Sequence, residues 1–154
     1  MEPRPAPALR PYRDADLDTT VAVWRASRVK AFPWMRPHQI HTPAEDRAFF
    51  AGVLARECEV WLAEREGRIA GLFCLQGEIV AQLFVAPEAQ GSGVGSALLD
   101  LAKQRSPGGL RLFTFQRNAP ARGFYERRGF RLLRVGVSPP PENEPDVLYV
   151  WRGA

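Results

Sequence analysis

Residues 79–101 read Ile79-Val-Ala-Gln-Leu-Phe-Val-Ala-Pro-Glu-Ala-Gln-Gly-Ser-Gly-Val-Gly-Ser-Ala-Leu-Leu-Asp-Leu101. The stretch divides into strand, loop and helix. Ile79 to Val85 is almost wholly apolar and rich in β-branched and aromatic residues, as a strand covered on both faces requires. Pro87 ends it. Gly91, Ser92, Gly93 and Gly95 follow closely, so the backbone there can take positive φ and approach a ligand without Cβ clashes. From Gly93 onward, Val94, Ala97, Leu98 and Leu101 recur at helical spacing. A helix that opens out of a glycine-rich turn points unpaired N–H groups, and about half a positive charge, at whatever lies in front of it. The reading is a phosphate site.

Several nucleotide motifs share this grammar. A Walker loop needs Lys before Ser or Thr, and here Gly95 precedes Ser96. A dinucleotide fingerprint starting at Gly91 and Gly93 meets Ser96 where its last small residue belongs, and Leu112-Phe113-Thr114 where an acidic residue belongs. What fits is Gln90-x-x-Gly93-x-Gly95 preceded by Leu83-Phe84-Val85-x-Pro87-Glu88, which resembles the acyl-coenzyme A loop of the GCN5-related N-acetyltransferases (GNAT). A second block, Asn118-Ala-Pro-Ala121-Arg-Gly-Phe124-Tyr125-Glu126-Arg-Arg-Gly129-Phe130, is similar to the same family's Asn…Ala…Phe-Tyr…Gly-Phe signature at the expected separation. The resemblance runs from about Leu9 to Trp151 and is sharpest from Leu83 to Phe130.

Outward from this centre, 154 residues at 45% hydrophobic content make one core and one domain, 9–154, behind an N-terminal arm, 1–8, that carries Pro3, Pro5 and Pro7. The 21 basic and 17 acidic side chains leave a formal charge of +4, suited to an anionic ligand and equally ordinary for a protein without one. Nucleic acid is not an expected partner. Cys58 and Cys74 are too far apart for a metal knuckle and sit in apolar runs, so free thiols in a reducing cytoplasm are expected, and no metal. No apolar run reaches the ~20 residues of a membrane span.

The elements can be set out in order. Leu9 to Arg13 forms a strand, and Asp14 or Asp16 caps a helix through Leu17, Val21, Trp24 and Val29. Phe32-Pro33-Trp34 and Pro37-His38 break it. Thr42-Pro43-Ala44-Glu45 is a capping box that starts a second helix, running to Arg56. Strands Glu59 to Glu64 and Arg68 to Gln76 meet at the Glu66-Gly67 turn, and Gly77 leads into the central strand. After the phosphate helix come strand Leu110 to Phe115, a helix from Pro120 to Arg128, strand Phe130 to Val137, a proline-rich loop and strand Val147 to Arg152. Arg122, Arg127, Arg128, Arg131 and Arg134 read mostly as a solvated face, with one or two as candidates to reach the sugar phosphate of an acyl-coenzyme A.

The resemblance implies an α/β (α+β) fold: a mixed, mainly antiparallel sheet flanked by helices and splayed between its fourth and fifth strands. It implies an N-acetyltransferase that moves acetyl from acetyl-CoA to a primary amine of a small molecule or peptide. The rival is a non-catalytic acyl-CoA sensor of the same fold. Carried over by position, the backbone of Leu83, Phe84 and Val85 holds the pantetheine arm like an added strand. Backbone N–H groups of Gly91, Ser92, Gly93, Val94, Gly95 and Ser96 hold the pyrophosphate, with the Gln90 side chain beside it and Asn118 on the pantetheine. Tyr125 matches the family's general acid. Glu78 is a candidate base at the start of the central strand, offset by one residue from the family pattern, and His38 or His41 acting through water is the alternative. Phe32, Trp34, His38 and His41 are candidate acceptor contacts, unless Phe32 and Trp34 only cap the core. A homodimer paired through the C-terminal strand is in keeping with such proteins.

Overall fold

The fold is taken from a computed structural model, which describes residues 4–153. Strands β1 (Ala8–Pro11), β2 (Glu59–Arg65), β3 (Arg68–Gln76), β4 (Ile79–Val85), β5 (Gly109–Phe115), β6 (Arg131–Val137) and β7 (Pro145–Arg152) form one sheet in the order β1-β2-β3-β4-β5-β7-β6. Every pairing is antiparallel except β4 with β5. That parallel pair is a single register match, Ile79 with Arg111, next to the hydrogen bond from Arg111 N to Glu78 O (2.8 Å). Beyond it the strands part. The splay and the mainly antiparallel sheet are both as expected.

Two apolar layers sandwich the sheet, and β3 belongs to both. Phe73 and Leu75 pack in one layer with Val94, Leu98 and Leu99 of α4 (Val94–Arg105), while Leu72 and Cys74 pack in the other with Val21 and Trp24 of α1 (Leu17–Ala31). Successive side chains point to opposite faces, so a strand covered twice shows no polar alternation. Helix α5 (Ala119–Glu126) joins the α4 layer through Phe124 and Tyr125. The helical segment after Thr42 lies on the α1 side, where Phe50 and Leu54 are buried.

That segment starts as its sequence dictates: Thr42 Oγ1 accepts from Glu45 N (3.1 Å) and Glu45 Oε1 from Thr42 N (2.8 Å). It is not one straight helix, for α2 (Pro43–Phe49) widens into a π turn (Phe50–Leu54) before α3 (Ala55–Glu57). The first helix also begins differently from expectation. Asp16 does not cap α1; its carboxylate accepts from Arg13 N and from both terminal nitrogens of Arg10, each at 2.8 Å, closing a 3₁₀ turn (Asp14–Asp16). The Arg10 guanidinium and the Arg13 amide together hold the carboxylate towards β1 instead of over the first turn of α1. The N-terminal arm is shorter than 1–8, since Ala8 already pairs with Glu64. Met1 to Pro3 lie outside the described residues. Among those described, no helix is long and apolar enough to cross a membrane.

Candidate active site

The turn that opens α4 has the open backbone that its glycines suggest. Gly93 is the N-cap of α4 with φ +91°, Gly91 has φ +74°, and a Cβ on either would meet nothing within 4 Å, so the backbone faces open space. Gly95 serves a different purpose: a Cβ there would come to 3.3 Å from the Phe124 ring and 3.5 Å from Val85, so its absence lets α4 sit against α5 and β4. The Gln90 side chain folds back, donating from Nε2 to Val85 O (3.2 Å), which Ser27 of α1 also reaches (3.0 Å). It therefore braces the turn rather than standing in front of it. Ser96 Oγ accepts from Arg128 (2.7 Å), whose guanidinium lies 3.9 Å from the centre of the Phe124 ring.

A residue that the sequence reading passed over, Arg65 at the end of β2, holds the turn from the side. It donates to Ser92 Oγ (2.7 Å), Ser92 O (3.3 Å) and Pro5 O (3.1 Å), and its Nε is sealed without a partner. Nothing local marks it, because Arg65 and Ser92 meet only when β2 and the turn are brought together across β3.

The splay opens into a cleft of about 1220 Å³. Leu83 and Phe84 line it from β4, and Asn118, Ala121 and Tyr125 from α5 and its cap. Asn118 Oδ1 caps α5 by accepting from Ala121 N (3.3 Å), which leaves its NH₂ as the uncommitted end of a side chain that lines the cleft. Tyr125 is 7% exposed and wedged among Phe124, Phe130 and Tyr149, with ring centres 5.2, 5.4 and 6.4 Å away. Its hydroxyl is not among the sealed, unpartnered polar atoms. Burial pushes its pKa well above that of a free tyrosine, so it is held protonated.

On the α1 side the cleft is aromatic and charged. Phe32 stands edge-on to Phe115 (4.9 Å) and Phe84 (6.1 Å). Trp24 Nε1 donates to Gln82 Oε1 (3.1 Å) at the floor. Asp46, 3% exposed, pairs with Arg25 and, at 3.2 Å, with Arg28. At the mouth, His41 lies 3.9 Å from both Glu45 and Glu142, between the α2 start and the loop before β7. Asp146, 8% exposed, lies on the floor in register with Phe115, and burial raises its pKa above the usual carboxylate range.

The candidate acceptor residues separate into two groups. Phe32 and His41 line the cleft, whereas Trp34 and His38 line a smaller polar hollow of about 280 Å³ with Arg36, Gln39, Arg117 and Glu144. Glu78 is corrected outright by position: it is exposed in the turn before β4, beside Gly108, at the closed end of the β4–β5 pair and outside the cleft. Arg122 and Arg128 are not a free solvated face either, since Arg122 Nε donates to Tyr149 Oη (3.0 Å), which donates to Glu126 Oε2 (2.5 Å), and so ties α5 to β7.

Residues 56–132 match the family model described as the acetyltransferase (GNAT) domain. A peptidyl-lysine N-acetyltransferase of Escherichia coli K12, YjaB, is 30% identical over 128 residues, covering 81% of this chain and 82% of that protein. The chain belongs to the GNAT family. A second E. coli peptidyl-lysine N-acetyltransferase, YiaC, is 28% identical over 128 residues, 81% of this chain and 84% of its own. The crystal structure of a GCN5-related N-acetyltransferase from Rhodopseudomonas palustris superposes with a TM-score of 0.79 at 20% identity, covering 99% of both chains. As a GNAT protein, the chain is an acetyltransferase that draws its acetyl group from acetyl-CoA.

Proposed function

We propose that this GNAT protein transfers acetyl from acetyl-CoA to a primary amine, borne by a small molecule or a peptide, by direct attack of the amine on the thioester. One observation carries the reading. The β4–β5 pair, shut at Ile79/Arg111, opens beyond it into an aromatic cleft lined by Leu83 and Phe84, and the chain leaving the end of β4 runs within a few residues into the Gly91–Gly93 turn, whose backbone faces open space. In this reading the unpaired edge of β4 at Leu83 to Val85 takes the pantetheine amides as an added strand. The amides from Gly91 to Ser96 take the pyrophosphate, supported by the Arg65 guanidinium against Ser92. Hydrogen bonds to charged oxygens contribute about 1.5–3 kcal/mol each, so this turn dominates affinity.

Direct attack is favoured over a covalent enzyme intermediate because neither cysteine lines the cleft. Cys74 is sealed in the core, where burial pushes its thiol pKa up, and burial does the same to Cys58. The amine nitrogen forms a bond to the thioester carbon, the carbon–sulfur bond breaks, and the departing sulfur takes the Tyr125 proton. Tyr125 is then reprotonated from water, which has received the proton shed by the amine. Relatives named as peptidyl-lysine N-acetyltransferases put a lysyl peptide first among acceptors to try.

The test is release of free thiol from acetyl-CoA across a panel of amines: lysyl peptides, free amino acids and polyamines. Turnover with at least one is expected. Calorimetric binding of acetyl-CoA with no thiol release from any amine would instead favour the sensor.

A further inference from the structure

Resting on that reading and going further, we propose that Asp146 is the residue that recognises the acceptor, and that it selects an alkyl amine that arrives as its ammonium ion and gives up that ion's extra proton to water in the cleft before the freed nitrogen attacks.

The placement follows from strand alternation. On β7, Val147 and Tyr149 point into the α4/α5 layer, so Asp146 and Leu148 point to the opposite face, where the cleft lies. Asp146 sits between Phe115 on β5 and Gly136 on β6 in register, level with the open end of the splay. The site is shaped around its carboxylate. A Cβ on Gly136 would lie 3.2 Å from Asp146 Oδ1, so the glycine leaves the space that the oxygen occupies.

Its chemistry differs from that of the other cleft carboxylates. Asp46 is matched by Arg25 and Arg28, Glu45 closes the Thr42 capping box, and Glu142 stands at the mouth beside His41. Asp146 is buried, and among the described residues no other side chain makes an ion pair or hydrogen bond to its carboxylate. Asp146 lines the cleft, and besides Arg134 only its own backbone N–H favours the charged form of the carboxylate. Charges around it are Arg134 on β6, which acts against the effect of burial, and Arg25, Arg28, Asp46, His41 and Glu142 across the chamber. Burial alone raises the Asp146 pKa; an ammonium beside it is the ligand that would restore the charged form. The walls between mouth and floor, Phe32, Phe84, Phe113 and Phe115, suit an aliphatic arm behind that ammonium.

The experiment compares n-pentylamine, an ammonium ion at pH 7, with O-butylhydroxylamine, which has the same length and is neutral at that pH. Thiol release is followed for the wild-type protein, Asp146→Asn and Gly136→Ala. For Asp146→Asn we expect KM for n-pentylamine to rise about 10- to 100-fold, the loss of one hydrogen-bonded charge pair, and for Gly136→Ala, whose Cβ would displace Asp146 Oδ1 slightly, a smaller rise in the same direction, in both cases with O-butylhydroxylamine within about twofold and acetyl-CoA binding unchanged. Gly136→Ala acts on the carboxylate from the neighbouring strand, so it carries the test if Asp146→Asn fails to fold. Equal loss with both amines, or loss with neither, overturns the assignment and leaves the acetyltransferase reading standing. Wild-type protein that releases thiol with no amine at all overturns both.

Discussion

At the scale of single residues, Tyr125 carries the sharpest expectation. It is protonated throughout the working range because burial raises its pKa, so Tyr125→Phe should lower kcat on the order of 10²-fold while acetyl-CoA binding, measured by calorimetry, stays put. The same shift has a consequence for stability. A folded-state pKa above the unfolded value of about 10 stabilises the fold fully below that pH, and the contribution is lost as pH rises further. Alkaline unfolding should therefore set in later in Tyr125→Phe than in the wild-type protein. Arg65→Ala should raise KM for acetyl-CoA about tenfold and leave kcat at saturation within a few-fold, because it removes a cation and the brace on Ser92 but nothing at the reacting atoms. Of these two residues, Tyr125 was legible because its motif is local. Arg65 was not, because its partner Ser92 is remote in sequence and no periodicity records the contact.

At the scale of elements, the turn that opens α4 rests on backbone conformation. Gly93 at φ +91° faces open space, so the Cβ of Gly93→Ala meets nothing within 4 Å but strains the backbone by about 1–2 kcal/mol. Its measurable effect should be a loss of acetyl-CoA affinity larger than its loss of thermal stability. Gly95→Val should do the reverse, because its Cβ would press on Phe124 and Val85. The 3₁₀ turn before α1 adds a pH effect. Arg10 holds the Asp16 pKa down to about 2, so this pair stabilises the fold above the ordinary aspartate pKa of about 4 and its contribution fades as pH falls towards 2. Asp16→Asn should flatten the acid limb of a urea-denaturation series measured against pH. The Thr42 capping box was readable from the sequence to the residue, since a cap is decided within four positions. The π turn at Phe50–Leu54 was not, because the helix widens to seat Phe50 between Tyr12 and Trp24, which come from other elements.

At the scale of the whole molecule, the sheet is two pieces, β1–β4 and β5–β7, joined along the sheet at a single register pair. Backbone amides on the β5 side of Leu83 to Val85 have no strand partner, so they should exchange with deuterium faster than those paired with β3. Adding acetyl-CoA should protect residues 83–85 and 91–96 together and raise the melting temperature with ligand concentration. Protection confined to the turn would mean that the splay is not the route of the pantetheine arm.

What the sequence determined by itself was whatever is encoded within a short span. The strand, the glycine turn, the helix that follows, the Asn118–Tyr125 block and the element order all rest on local backbone and periodicity rules. The tertiary structure decided what depends on which face a side chain occupies and what lies opposite. Pairing put Glu78 at the closed end of β4, folded Gln90 back onto Val85, sent Trp34 and His38 to a separate hollow, and turned Asp146 inward over Gly136. A charge pattern along the chain gives no direction in space; register across the sheet supplies it.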